Sequence, residues 1–338
     1  MRISFAGVFC CLFVLSVTLS FAQQTAPPSA DSLTHEKFLT LVNFSKDQSY
    51  LTFGNGLGNQ QPILFEARLS PSYFISSNHR KWAIMMNPQV QVRMLDEKSL
   101  PIQVPSYRFY LTYYRNIQFW EKTFLQKIFY NDAIWFASVS HHSNGQSGNP
   151  YLNDSTQALN LTQGSFAVNF ITLGVASYTL KPAGRKYFSL RELKVHTELY
   201  PYGWCNAYLR KSFGFYRLFG TFGFGGPLKE EKVDWLNRWL QNSSFEVKTG
   251  WIFGAYNGYS PVDLQRRLIV DATYKYYPPW FDEIAFFLRF YSGQDYYNIY
   301  YEKQLRTLTI GITSNTIKLS SAIRVLGKNK YQYRKQQP

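Results

Sequence analysis

The side chains best suited to chemistry lie in one short run, Ser140-His141-His142-Ser143-Asn144-Gly145-Gln146-Ser147-Gly148. His141 and Ser143 are two residues apart. On a β-strand that spacing puts both on one face, with Cα atoms roughly 6.6 Å apart. An imidazole nitrogen can then reach a serine oxygen, the first requirement of a Ser-His nucleophile pair. The residues leading in, Ala133, Trp135, Ala137 and Val139, share this parity and are apolar or small, so His141 and Ser143 continue a greasy face. The same run also reads as an ordinary polar loop at a strand end, and on these residues alone both readings stand. His142 has the opposite parity and reads as structural. The chain has no G-x-S-x-G elbow, no H-E-x-x-H and no phosphate-binding loop. No Cys/His cluster has zinc spacing.

The elements that must carry this pair alternate with period two rather than 3.6. Phe65, Ala67 and Leu69 alternate with Glu66, Arg68 and Ser70; Val90, Val92 and Met94 with Gln89, Gln91 and Arg93; Leu308, Ile310 and Ile312 with Thr307, Thr309 and Gly311. The stretches around Tyr107–Tyr114, Leu193–Leu199 and Leu268–Tyr276 behave alike. Tyr113-Tyr114, Tyr276-Tyr277, Pro278-Pro279-Trp280 and Tyr296-Tyr297 read as aromatic girdles at strand ends. Segments of about ten alternating residues separated by turns mark an outer-membrane barrel. A closed barrel pairs every backbone group without an edge. The fold expected is therefore all-β, an antiparallel transmembrane β-barrel of about twelve strands. Asp234 to Gln241 reads as a short amphipathic helix in a loop.

Composition agrees. Of 338 residues, 18% are aromatic and only 17% charged, yet mean hydropathy is −0.26. The aromatic content excludes disorder, and the hydropathy argues against a polytopic helical membrane protein. Residues 1–22 read as a secretory signal, with Arg2, an apolar run through Leu19 and Ala22 before Gln23. Residues 23–60 read as a polar, turn-rich lead-in, 61–316 as the barrel, and 317–338 as a basic tail. Cys10 and Cys11 fall in the signal, so Cys205 has no intramolecular disulfide partner. The net charge of +15 fits an anionic lipid surface; export argues against nucleic acid.

His-x-Ser-Asn-Gly-x-Ser, standing as His141 to Ser147, resembles the active-site motif of outer-membrane phospholipase A. Ser99-Leu100-Pro101, with Tyr107 beyond, resembles that family's calcium-site loop and following strand. Phe290-Tyr291-Ser292-Gly293, continuing through Tyr300-Tyr301 to Ile312, resembles its last hairpin. The resemblance implies a twelve-stranded barrel in the outer membrane of a Gram-negative bacterium, hydrolysing acyl esters of membrane phospholipids and active as a homodimer. Ser143 would be the nucleophile and His141 its base. Asn169, on the parity of Ile171, Leu173 and Val175, would complete a Ser-His-Asn triad, with Asn160 and Asn153 as rivals. The N–H of Gly145 would face the oxyanion. A calcium ion would be held by Gln146 and Tyr151, with Ser99 reaching in from the second copy. Gln146 stands where the family usually has Arg, Gly148 where it has Asp, and Tyr151 where it has Ser. Two other readings remain on the residues. One is a non-enzymatic barrel, a narrow porin or a structural protein with a degenerate site; the other is a secreted soluble β-protein binding glycans through its aromatics.

Overall fold

The computed structural model describes residues 35–57, 63–77, 82–98, 102–117, 132–152, 158–178, 189–206, 208–225, 239–240, 242–281 and 284–314. The expected signal, the basic tail, Ser99 and Asn153 lie outside these. Of the helix expected over Asp234 to Gln241, only Trp239 and Leu240 are described, and they are helical.

Thirteen strands form one sheet. They are β1 (Tyr50–Leu57), β2 (Ile63–Leu69), β3 (Tyr73–Ser77), β4 (Trp82–Leu95), β5 (Ser106–Asn116), β6 (Asp132–Ser143), β7 (Ala167–Tyr178), β8 (Ser189–Leu199), β9 (Tyr216–Gly225), β10 (Ser243–Phe253), β11 (Leu268–Tyr276), β12 (Ile284–Gln294) and β13 (Gln304–Ser314). From β4 to β13 each pairs antiparallel with the next in sequence. β1 closes the circuit by pairing with both β13 and β2. β2 and β3 lie along the same side of β4, against its second and first halves. Together they are one strand interrupted at Ser70-Pro71-Ser72, so the molecule is a closed twelve-stranded antiparallel barrel. Proline has no N–H for a ladder. The interruption is satisfied from within: Asn87 Nδ2 donates to the Pro71 carbonyl at 2.6 Å.

β4 shows why these residues make a barrel and not a sandwich. Its buried positions are Ala83, Met85, Asn87, Gln89, Gln91, Arg93 and Leu95. Its outward positions are Trp82, Ile84, Met86, Pro88, Val90, Val92 and Met94, all apolar and half-buried or exposed. A water-soluble sandwich would bury the second set. Here polar groups fill the inside and hydrocarbon covers the outside, the arrangement a bilayer requires. Leu173, Val195, Leu218, Phe222, Leu288, Phe290 and Ile310 extend the outer band around the wall.

Several of the interior charges are paired. Arg93 is fully buried, with Nε 2.8 Å from Glu66 and Nη1 2.7 Å from Asp295. Its guanidinium centre lies 4.5 Å from the Tyr297 ring centroid. Arg289 meets Asp271 at 2.7 Å. Around them is a chamber of about 420 Å³ lined by Arg68, Arg108, Glu198, Lys248, Asp271 and Arg289 among others.

Both mouths of the lumen carry apolar packing. At the end where the chain enters and leaves, the helix α1 (His35–Ser45) places Phe38, Leu41 and Val42 against Ala83, Met85, Tyr114, Ile134, Phe136, Ala176 and Tyr178. These are inward positions at the corresponding strand ends. At the other end Tyr297, Ile299, Tyr300 and Tyr301 pack with Phe166, Phe170, Tyr200, Leu209 and Phe213. Two expectations are corrected here. The segment before residue 61 is not a featureless lead-in: it holds α1 and the first barrel strand, because Phe38, Leu41 and Val42 form a three-residue stripe that docks inside. Tyr296-Tyr297 is not a girdle either, since Tyr297 is fully buried and its backbone carbonyl accepts from Ser106. Trp280, at 70% exposure, fits a girdle position.

If α1 is a stopper, Leu41→Asp with Val42→Asp should expel it. The double variant should show step conductance in planar bilayers that the parent lacks; equal conductance would show that the helix does not seal the mouth.

Candidate active site

β6 and β7 run side by side over their whole length, with His141 directly opposite Asn169 and Ser143 opposite Ala167. On the other side of β6, Phe109 faces His141 and Tyr107 faces Ser143. Because parity alternates, His141, Ser143 and Asn169 all project from the outer wall. His141 is exposed, and Ser143 and Asn169 are half-buried. Tyr107 and Phe109 are each 42% exposed beside them. Below, the apolar surface continues through Val139, Ile171 and Leu173. Strand direction alternates around the ring, so this site sits at the mouth opposite the start of β1 and the end of β13.

His141 Nδ1 and Asn169 Oδ1 are 2.8 Å apart. An amide oxygen only accepts, so Nδ1 carries the proton and Nε2 is left as the basic nitrogen. The two residues are 28 apart in sequence and adjacent in space, because the β6–β7 connection folds back without disturbing the ladder. Asn169 is the asparagine brought to His141. Its rival Asn160 is a loop staple: its Oδ1 accepts from Gln163 N–H at 3.1 Å and its Nδ2 donates to the Asn149 carbonyl at 3.2 Å. Among the described residues no hydrogen bond joins Ser143 to His141. The serine lies two residues along the same face of β6. Such bonds often close only when substrate is bound.

His142 points into the barrel, as its parity requires. Its Nε2 is 2.7 Å from Ser106 Oγ and 2.9 Å from the Tyr297 carbonyl, and its ring meets Phe166 edge-on at 4.9 Å. It anchors the upper lumen.

Beyond Ser143 the chain turns through Asn144 and Gly145. Asn144 is buried and fully engaged. Its Oδ1 accepts from Phe166 N–H at 2.9 Å and Gln146 N–H at 3.2 Å, and its Nδ2 donates to the Gly164 carbonyl at 2.8 Å. It ties the two stems of the β6–β7 connection together. Gly145 has φ +68°, a conformation costly for any residue with a Cβ, so glycine is needed there on backbone grounds. The amides of Asn144 and Gln146 are engaged, whereas the N–H of Gly145 has no hydrogen-bond partner among the described residues. Gly145 itself is exposed, two residues beyond Ser143.

The expected cation ligands divide. Gln146 is exposed, and its carbonyl takes no part in the loop's bonds, unlike those of Gly148, Asn149 and Pro150. Tyr151 packs its ring edge-on against Tyr208 at 5.7 Å, and its N–H points to Asn149 Oδ1 at 3.4 Å. The described loop residues carry no carboxylate, and no group of three His, Cys, Asp or Glu side chains is placed to hold a metal among the described residues. A hard cation held by the described loop residues alone would depend on neutral oxygens; Asp154 and Ser155 of the same loop lie outside the described residues.

One partner of the site was missed in the sequence. Residues 204–206 of the β8–β9 connection run antiparallel to the top of β7, with Val168 opposite Cys205. The Trp204 carbonyl accepts from both the backbone N–H of Asn169 at 2.8 Å and its side-chain Nδ2 at 3.1 Å. The acceptor is a main-chain carbonyl, which no side-chain pattern announces.

By sequence, no family model and no curated protein matches this chain. By structure it is similar to outer membrane phospholipase A from Escherichia coli, with a TM-score of 0.50 and 13% identity over 80% of this chain and 96% of that one. An active-site mutant of the same protein gives 0.52 and 13% over 86% and 95%. The outer membrane phospholipase dimer of Salmonella typhi with bound calcium gives 0.51 and 12% over 80% and 90%. At such identities the likeness is one of fold, that of an outer-membrane barrel.

The two adjacent histidines should separate cleanly. His142→Ala leaves buried partners unsatisfied and should lower stability by about 1–3 kcal/mol; His141→Ala should leave stability near that of the parent. Urea unfolding of the refolded barrel measures both, and equal effects would contradict the opposite orientations.

Proposed function

We propose that the protein is an outer-membrane phospholipase A that cleaves phospholipid acyl esters with Ser143, His141 and Asn169. The observation that carries the proposal is the 2.8 Å His141–Asn169 contact beside a serine of the same face, on a wall that faces lipid. A pair buried in the lumen would never meet a phospholipid. On the outer wall, an acyl chain lying along Phe109, Val139 and Ile171 brings its ester to the level of Ser143 without leaving the membrane.

Ser143 Oγ attacks the ester carbonyl carbon while His141 Nε2 takes its proton. The Asn169 oxygen holds the Nδ1–H tautomer and receives the imidazolium's hydrogen bond. The carbonyl oxygen, now negative, meets the N–H of Gly145. The tetrahedral intermediate collapses, the C–O bond to the lysophospholipid breaks, and His141 returns the proton to the leaving alcohol. Water attacks the acyl-serine by the same route and releases the fatty acid. Asparagine is neutral, so it stabilises the imidazolium less than a carboxylate does.

Calcium belongs to the proposal. When bound by the Gln146 carbonyl, with Tyr151 and with Ser99 of a second copy, it would add positive charge beside the oxyanion. Calcium and a dimer are both named for the Salmonella neighbour. The neutral donors imply weak binding, with half-saturation at about 10⁻⁴ M or above.

Ser143→Ala should reduce hydrolysis of a phospholipid in mixed micelles by about 10³-fold or more. Unchanged hydrolysis would leave the second reading, a barrel without enzymatic activity. In the parent, a calcium chelator should abolish turnover and millimolar calcium should restore it; activity indifferent to chelator removes calcium from the mechanism.

A further inference from the structure

We infer that the main-chain carbonyl of Trp204 is a positioning group for the triad, and that it is what makes the third member an amide rather than a carboxylate. The inference rests on the esterase reading above for its kinetic consequences, though the contact itself does not depend on it.

β8 ends at Leu199, and its pairing with β7 stops at Ile171. The next two outward or upward positions of β7 would therefore lose their neighbour on that side. The β8–β9 connection replaces it: Asn169 N–H reaches the Trp204 carbonyl at 2.8 Å, and Asn206 N–H reaches the Ala167 carbonyl at 3.3 Å. The connection is itself held down. Trp204 N–H bonds the Pro201 carbonyl at 2.9 Å, the Tyr208 hydroxyl donates to the Ser165 carbonyl, and Leu209 is fully buried in the upper apolar cluster.

The Asn169 amide thus stands between a donor and an acceptor. Its Oδ1 faces His141 Nδ1–H at 2.8 Å, and its Nδ2 faces the Trp204 carbonyl at 3.1 Å. Turning the amide over would set oxygen against carbonyl oxygen and N–H against N–H. The carbonyl therefore fixes the amide, the amide fixes the imidazole tautomer, and the tautomer leaves Nε2 as the basic nitrogen. An ionised aspartate has two acceptors and no donor. It would serve His141 but be repelled by Trp204.

Two changes test this. Asn169→Asp should fold and yet show a kcat at pH 8 no higher than that of Asn169→Ala. In a Cys205→Ala background, lactic acid in place of residue 205 turns the Trp204 carbonyl into an ester, a weaker acceptor. Its kcat should fall about fivefold, as expected for weakening the two hydrogen bonds that this carbonyl accepts, with KM unchanged. The acid limb of its pH profile should move to lower pH, because a loosened amide stabilises the imidazolium less. A connection that merely supports the fold would change the unfolding midpoint and leave that limb in place. Hydrogen exchange of the Asn169 side-chain amide gives a readout free of turnover, protected in the parent and exposed in the ester form. Asn169→Asp at wild-type kcat, or unchanged exchange in the ester form, overturns the inference. Hydrolysis that survives Ser143→Ala overturns the esterase reading instead, and the exchange result then decides the contact alone.

Discussion

Hydrocarbon offers a peptide group no hydrogen-bond partner, and the rest of this molecule follows from that constraint. It requires a ring, since an open sheet would leave two unpaired edges. The ring in turn divides every strand into a wet and a greasy face. Buried Asn87, Gln89, Gln91 and Arg93 on one side of β4, with Met86, Val90 and Val92 on the other, express the division along one strand. Charges turned inward are then held by each other, as Arg93 is by Glu66 and Asp295. Removing one member of such a set leaves an uncompensated charge in a confined space, which costs far more than the pair contributes.

The same alternation sets the chemistry. A dyad two residues apart must share a face, and the neighbouring strand supplies the third group at the same level. Register alone brings His141 level with Asn169. His141 and Asn169 meet because β6 and β7 pair from Asp132↔Tyr178 to Ser143↔Ala167 without a slip. A one-residue slip would turn one of the two into the lumen. The parts that do not follow from the ladder, the Gly145 turn and the Trp204 carbonyl, are fixed by buried side chains just inside the rim, Asn144 and Leu209.

Most of the barrel was legible in the sequence because period-two patterning is long and repeated, and Asn169 was legible as a candidate because the family resemblance called for an asparagine and parity placed this one on the face of His141. Other features were not. The helix His35–Ser45 buries only a narrow stripe, so its composition reads as polar loop. Tyr297 looks like a girdle residue because an aromatic at a strand end serves water-facing and lumen-facing roles equally well. Nothing in the alternation marks the interruption at Pro71, and only the shared pairing with β4 shows β2 and β3 as one stave. The Trp204 contact is made by backbone, and its side chain carries no sign of it.

The seam of the ring joins β1 to β13, with Tyr50 paired to Thr313, the first strand to the last. That is the longest sequence separation in the sheet, so the final join waits for the C-terminal hairpin. α1 precedes β1 by only the residues 46–49, which ties the stopper to the seam. Until β13 arrives, α1 packs on the β4–β7 wall of a sheet that is still open, and after the join it is enclosed. The short tether therefore makes one event of two: the staves lock, and the lumen is corked from inside.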